Sequence, residues 1–517
     1  MEPVGSAERG CDQDPGRAAP DLMSTNTPQA AHPTNGRGAT STAPRHTGAI
    51  LAVILVSYFM ILLDNSVIFT ALPSLEADLG LSTGELSWVQ DAYTLVFGGL
   101  LLLGARAGDL LGRRRVFIFG LAVFVIASFL VGVASTGWWI IGARALQGIG
   151  AAIVAPSSLS LILASFPAGR ERSRAVALYG ATAGIGASLG LLVGGAFTSW
   201  ISWRAGFFIN VPIGIAMIAL APRFLPESTR ARGRFDVIGA ITATLGIGSI
   251  VFGIINSTEA SWTSPVTIGA LVVGLLLLVV LVINESQTAQ PIMPLRLFAS
   301  RVRTGAYLGR LLYLGAIIGF FFFTTQYLQN VLGFTPLEAG IGFLPMTVVN
   351  FAVAMLIPRI VRRMGEAIPL VLGVALTLIG MIWLSQLGPD SSYLLSVALP
   401  MVAIGAGQGL VFAPLTSAGL LGASAEDAGA ASGLVNTFHQ LGSSLGLGIL
   451  VAVAAAAGSS GIESAASLTR EVSAALTAGS VLLGLCLVVC VALILPTAVA
   501  AARSRREGAA AHAQIAG

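Results

Sequence analysis

Fourteen apolar stretches of roughly 18 to 30 residues follow one another along this chain. They lie near 48–72, 87–104, 116–134, 138–164, 174–198, 204–221, 236–256, 265–284, 304–327, 337–358, 367–388, 393–418, 428–457 and 474–498, separated by short polar segments. At about 1.5 Å of rise per residue, an apolar helix of that length crosses a hydrocarbon core roughly 30 Å thick. The pattern predicts an all-α polytopic membrane protein with fourteen transmembrane helices. Residues 1–47 are rich in Pro, Gly, Ser, Thr and Asn with no apolar run, which predicts a disordered tail and no cleaved signal peptide, Met23 being an alternative start. Residues 499–517 predict a second polar tail.

Composition agrees: 55% of the 517 residues are hydrophobic and 10% charged, too little charge to coat a soluble globule of that size. The charge has a direction as well. All 28 basic residues are arginines, and 24 of them fall in the tails and in alternate loops, including four in 105–115, three in 170–174, four in 222–235, three in 285–303 and three in 359–366. Positive loops are retained in the cytoplasm, so the tally predicts an even number of spans with both termini inside. The net charge of +4 then reflects topology and implies no nucleic-acid partner.

Internal similarity gives the organisation. Gly186-Ala187-Ser188-Leu189-Gly190-Leu191 returns as Gly442-Ser443-Ser444-Leu445-Gly446-Leu447, and Gln147-Gly148 with Ala155-Pro156 returns as Gln408-Gly409 with Ala413-Pro414. The offsets of 256 to 261 residues exceed a six-helix unit by about two helices. The reading is a six-helix bundle at 48–221, two accessory helices with linkers at 222–303, and a second six-helix bundle at 304–498.

Four further motifs carry a family resemblance. The loop after the second span reads Gly108-Asp109-Leu110-Leu111-Gly112-Arg113-Arg114-Arg115. The first span carries Leu63-Asp64-Asn65-Ser66 through Ala71-Leu72-Pro73, and the fourth Arg144-Ala145-Leu146-Gln147-Gly148-Ile149-Gly150. Trp203-Arg204 leads into Phe208-Ile209-Asn210-Val211-Pro212 before the sixth. Over about residues 48–500 the chain resembles the fourteen-spanner drug:proton antiporters of the major facilitator superfamily, the EmrB/QacA-like branch. It departs from that pattern at Ala105, Ala107 and Leu110 in the loop, and at Leu191, where a Pro is usual. The resemblance implies a major facilitator fold and export of drugs against protons. It also implies a conformational loop, Gly108, Asp109, Gly112, Arg113 and Arg114, whose Asp109 contacts the end of the helix beginning near Ala428. Glu426 and Asp427 already place negative charge at that end.

Charge inside a bilayer costs roughly 2.5 to 3.5 kcal/mol per residue on insertion scales, so each instance needs a reason. By helical rise, Asp64 lies about 12 Å and Arg144 about 9 Å below the same membrane surface, a depth at which they can pair. They are the candidate proton-coupling residues, the alternative being a static structural ion pair. Candidates for substrate contact are Asp91, Tyr93, Gln147, Tyr327 and His439; Asp91 either binds a cation or reaches the headgroups, and His439 titrates near neutral pH or packs. Arg310 is expected to snorkel to the interface. Gly186, Gly190 and Gly194 line one helix face with Gly195 beside them, so another helix approaches closely; the resemblance places this contact between the two halves.

Other functions fit less well. The chain has no Lys and hence no Walker-type phosphate loop. Only four His are present, two of them in the tails, which leaves little for a membrane-embedded enzyme. Cys486 and Cys490 read as small apolar packing residues, so no metal or cofactor is expected beyond the proton gradient. The expected protein is a monomeric carrier in a bacterial cytoplasmic membrane, exporting hydrophobic or cationic drugs. A proton-coupled carrier of a single endogenous metabolite is the alternative.

Overall fold

The computed structural model describes residues 47–167, 169–227, 235–424, 427–458, 465–497 and 500. Apart from Thr47 and Ala500, both predicted tails, with Met23, lie outside these residues, as does Glu426. Among the described residues there is no strand, and fourteen helices are long and apolar enough to cross a membrane. They are α1 Thr47–Leu79, α2 Thr83–Leu111, α3 Arg113–Gly132, α4 Gly137–Ser165, α5 Arg170–Trp200, α6 Ala205–Phe224, α7 Val237–Ala260, α8 Pro265–Gln287, α9 Arg301–Val331, α10 Pro336–Met364, α11 Ala367–Leu384, α12 Leu394–Leu420, α13 Ala428–Ala457 and α14 Ala465–Thr497.

The count matches the hydrophobic pattern, but the ends do not. α1 runs through Pro73 to Leu79 instead of stopping near 72, and α14 begins at Ala465 instead of near 474. Hydropathy marks only the part of a helix that lipid surrounds, whereas a helix continues wherever its polar turns find partners. Asp78 at the end of α1 accepts from the Trp203 indole at 3.0 Å and pairs with Arg204. Ser473 in α14 donates to the Leu387 carbonyl at 3.2 Å.

Local chemistry sets the helix starts. Ser82 Oγ accepts from the Glu85 N–H at 3.2 Å while the Glu85 carboxylate accepts from the Ser82 N–H at 2.9 Å, a reciprocal cap for α2. Thr335 and Glu338 repeat it at α10. α2 ends at Gly112, where a φ of 104° admits a direct turn into α3 that residues with a Cβ rarely adopt.

Helices α1–α6 and α9–α14 form two six-helix bundles, with α7 and α8 as the additional pair. In each bundle the first helix meets the fifth along a glycine row. A Cβ on Gly186, Gly190 or Gly194 of α5 would lie 2.8, 2.5 or 2.7 Å from atoms of Leu62, Ser66 and Val67 on α1. On α13, a Cβ on Gly442 or Gly446 would lie 2.3 Å from the Leu311 carbonyl oxygen or 2.1 Å from Gly315 Cα of α9. Residues four apart share a helix face, so each row lets two backbones touch. This corrects the expected position of the α5 triplet, which joins helices within one bundle. Its neighbour Gly195 crosses to the other bundle, 2.5 Å from the Pro336 carbonyl oxygen by the same measure.

The bundles meet in two places. Near the end of the molecule that carries Asp78 and Trp203, the Leu337 N–H donates to Ser199 Oγ at 3.0 Å, Gln329 donates to the Thr70 carbonyl at 3.1 Å, and the rings of Phe69 and Phe321 stack. Elsewhere α2 lies along α13, with Thr437 Oγ1 donating to the Gly98 carbonyl at 3.2 Å. Helix α7 covers this second seam, its Ile255 packing against both Gly84 and Gly448. Helix α8 packs on α7 and leaves Leu275 and Leu276 exposed, an apolar surface suited to lipid.

Candidate functional site

Asp64 of α1 and Arg144 of α4 meet inside the first bundle, both fully buried. Arg144 Nη1 donates to Asp64 Oδ2 at 2.7 Å. The other oxygen, Asp64 Oδ1, accepts from Gln147 Nε2 at 2.7 Å and from Asn210 Nδ2 at 2.8 Å. Gln147 stands three residues along α4 from Arg144, on the same helix face, and its Oε1 accepts from Arg144 Nη1 at 2.8 Å. Ser128 of α3 accepts from Gln147 at 2.8 Å, and the Val89 carbonyl of α2 accepts from Arg144 Nε at 3.0 Å. The guanidinium carbon lies 4.3 Å from the Tyr93 ring centroid and 5.8 Å from that of Phe207, in the geometry of a cation–π contact.

Helices α1, α2, α3, α4 and α6 thus converge on one buried ion pair and the amides around it. A charge buried this deeply is tolerated only when its partners are complete, and removing one side of such a pair costs about 3–5 kcal/mol. Neutralising Asp64 with a proton would remove the charge that Arg144 answers and leave the guanidinium to Gln147, Val89 and the two rings. The polar atoms at the margin already lack partners: Arg144 Nη2, Asn210 Oδ1 and the Tyr93 hydroxyl.

The remaining candidates divide differently from expectation. Gln147 and Tyr93 belong to this hub and present no free surface to a ligand. Asp91 is fully buried with neither oxygen hydrogen-bonded, on the α2 face that packs against Ser444 of α13. Headgroup contact is therefore corrected, because helix depth does not say which way a side chain points; in this conformation Asp91 presents no surface to a cation. Tyr327 is buried and donates to the Gly388 carbonyl at 2.7 Å, a packing role near the end of α9. Arg310 does not snorkel; it is 7% exposed and lies against Phe412. His439 is half-buried, its ring stacked on Phe412 and its Nδ1 unpartnered. Asn210 and Ser128 are neutral polar residues that no charge argument singles out, although Asn210 stood in one of the quoted motifs.

In the loop, Asp109 accepts from Arg113 Nη2 at 3.0 Å, and Arg113 also donates to the Ser160 carbonyl of α4 at 3.2 Å. Arg114 donates to the Leu225 carbonyl at 3.1 Å and, with Arg115, faces Glu227. Gly108 offers its carbonyl to the Gly112 N–H at 3.2 Å, closing the turn. The expected contact of Asp109 with the start of α13 is not made; its carboxylate is engaged within its own loop. At the start of α13, Asp427 binds Arg296 through both oxygens, at 2.9 and 2.6 Å, which holds its carboxyl below the usual carboxylate range.

Residues 54–447 match the model of the Major Facilitator Superfamily. The chain is 39% identical over 429 residues to the cephamycin export protein CmcT of Amycolatopsis lactamdurans, covering 81% of this chain and 88% of that protein. It is 36% identical to the puromycin resistance protein pur8 of Streptomyces alboniger, with 79% and 82% covered. It is 32% identical to the multidrug resistance protein Stp of Mycobacterium tuberculosis, with 77% and 74% covered. Among solved structures, a bacterial homologue of the human lysosomal transporter Spinster superposes with a TM-score of 0.61 at 15% identity, covering 86% and 96% of the two chains. The xylose transporter XylE of E. coli superposes with a TM-score of 0.57 at 14% identity, covering 86% and 97%.

Proposed function

The chain belongs to the Major Facilitator Superfamily, and we propose that it is a secondary active exporter of hydrophobic drugs or antibiotics, driven by proton entry through Asp64. The observation that carries this reading is a buried Asp64–Arg144–Gln147–Asn210 hub in which both Asp64 oxygens are hydrogen-bonded, in a chain whose relatives are export and resistance proteins. The fold and the family are those of transporters, and catalysis of a covalent reaction forms no part of the reading.

In the proposed cycle the arginine-rich loops face the cytoplasm, in the bacterial cytoplasmic membrane, with both termini inside. Residues 48–221 and 304–498 are the two moving bundles and residues 222–303 the accessory pair. The contacts Leu337–Ser199, Gln329–Thr70 and Gly195–Pro336 then close the outer side. In this cycle the cargo path runs past polar side chains left exposed or half-exposed at membrane depth, such as Asn65, Asn436 and His439. Protonation of Asp64 loosens α1 from α4 and α6, and the bundles rock about the glycine contacts. One proton moving inward through about 100 mV releases roughly 2.3 kcal/mol, enough to bias exchange more than tenfold.

The test is a susceptibility and efflux assay in a drug-sensitive host with and without this gene, over a panel that includes puromycin and a cephamycin. Lower accumulation of at least one compound, abolished by collapsing the pH gradient, is expected; unchanged accumulation of every compound would refute export. A small tag inserted between Ala260 and Pro265 should be labelled only from outside, and labelling from the cytoplasm would overturn the topology.

A further inference from the structure

Arg310 is the one deeply placed guanidinium among the described residues without a carboxylate partner. It sits nine residues into α9, about 13 Å along the helix, and is 7% exposed. Its polar contacts are two long, neutral ones from Nη1, to the Phe412 carbonyl at 3.5 Å and to Thr416 Oγ1 at 3.4 Å. Nε has no partner. The guanidinium carbon lies 4.7 Å from the centroid of the Phe412 ring, and His439 stacks on that ring at 6.2 Å with its Nδ1 also unpartnered. Tyr313 closes the cluster edge-on to Phe412 at 6.0 Å, its hydroxyl bonded to Thr377.

Among the described residues no carboxylate supplies the missing charge. Asp64 is paired with Arg144, and Asp91 lies in the seam with Ser444. Glu366, beyond the end of α10, accepts from Ser417 at 2.8 Å and forms no ion pair with Arg310. Phe412, Thr416 and His439 are each half-buried, and Asn436, three residues before His439 on α13, is exposed. An unneutralised cation at this depth is costly, and a planar guanidinium suits bidentate binding of a carboxylate.

We propose that Arg310, Phe412 and His439 form an anion-recognition subsite for a cargo that carries a carboxylate on a flat apolar body. The carboxylate pairs with Arg310, and the apolar body lies over the Phe412 and His439 rings. This narrows the exporter reading and rests on it: a guanidinium without a counter-ion favours acidic amphiphiles, and neither deep carboxylate, Asp64 in its pair with Arg144 or Asp91 in the α2–α13 seam, neutralises it.

The experiment compares binding of 1-pyrenebutyrate and its uncharged amide to the purified full-length protein in phosphatidylcholine nanodiscs. The wild-type protein should prefer the carboxylate by at least about tenfold, the scale of one desolvated charge pair. Arg310→Gln should bind the two probes alike, and Arg310→Lys should restore part of the preference, which shows that the site folds with a cation in place. Equal affinities in the wild-type protein, absence of binding by both probes, or a preference that persists in Arg310→Gln would overturn the proposal. Repeating the measurement with phosphatidylglycerol in the disc separates cargo from lipid: a preference that vanishes there assigns the subsite to an anionic headgroup and overturns the cargo assignment. Because binding is read without transport, a retained preference in a protein that effluxes nothing would sink the exporter reading alone.

Discussion

In the amino-terminal bundle, the contact between α1 and α4 is an ion pair with every Asp64 oxygen satisfied; in the carboxy-terminal bundle, the corresponding contact between α9 and α12 is aromatic. There Tyr307 donates to the Gly419 carbonyl at 3.0 Å, Tyr313 meets Phe412 edge-on, and Arg310 lies over the same ring without a counter-ion. Gln408, which repeats Gln147 in sequence, is buried with no acid to hold. Yet the α1–α5 and α9–α13 contacts use the same glycine row. The scaffold repeats while the chemistry does not, which fits one half carrying the proton and the other meeting the cargo.

That contrast can be broken most severely at Arg144. Arg144→Ala strands the Asp64 charge among amides and should lower stability by about 3–5 kcal/mol, read as a fall in thermal unfolding temperature of the purified protein. The double substitution Asp64→Asn with Arg144→Gln should recover part of that loss. A single substitution no worse than the double would mean that the pair is not a desolvated unit. The shared scaffold predicts the next largest effect. Gly190→Leu and Gly446→Leu should each destabilise by about 1–3 kcal/mol through overpacking, and a marked difference between them would show that the two rows are not equivalent.

The fourteen spans and the Asp64–Arg144 pair were legible in the sequence because length and depth need only a count of residues along an axis. Azimuth does not follow from such a count. Asp91, Tyr93 and Arg310 point into protein contacts that the sequence did not indicate, since apolar residues surround each span in sequence whether it faces lipid or protein. Ser128, and the contact that Asn210 makes with Asp64, were not legible for another reason: a neutral polar residue in an apolar run carries no mark of the carboxylate it will meet. The glycine spacing revealed a close helix contact, but its partner, α1, emerged only from the packing.

Smaller effects sharpen the comparison at the loops. Asp109→Asn removes a half-exposed pair with Arg113, worth at most about 1 kcal/mol of stability. It should slow transport while leaving expression and membrane insertion intact, and normal turnover would remove the loop from the mechanism. The smallest effect is expected at Asp427. Its carboxyl titrates lower folded than unfolded because Arg296 binds the charged form, so its contribution is present above the ordinary Asp range and is lost as pH falls through the folded value. Asp427→Asn should therefore flatten a shallow acid-side loss of thermal stability, and an unchanged profile would show that the pair does not tether α13.

The central claim, that Asp64 couples proton entry to export, is tested most directly by Asp64→Asn in membrane vesicles with an imposed pH gradient. Asparagine keeps the shape and one accepting oxygen at this position, turns the other acceptor into an NH2 donor as protonation would, and holds no exchangeable charge. The variant should fail to concentrate substrate against its gradient while still exchanging substrate downhill. Uphill transport at the wild-type rate by the Asn variant would contradict the account and move the coupling site away from the amino-terminal hub.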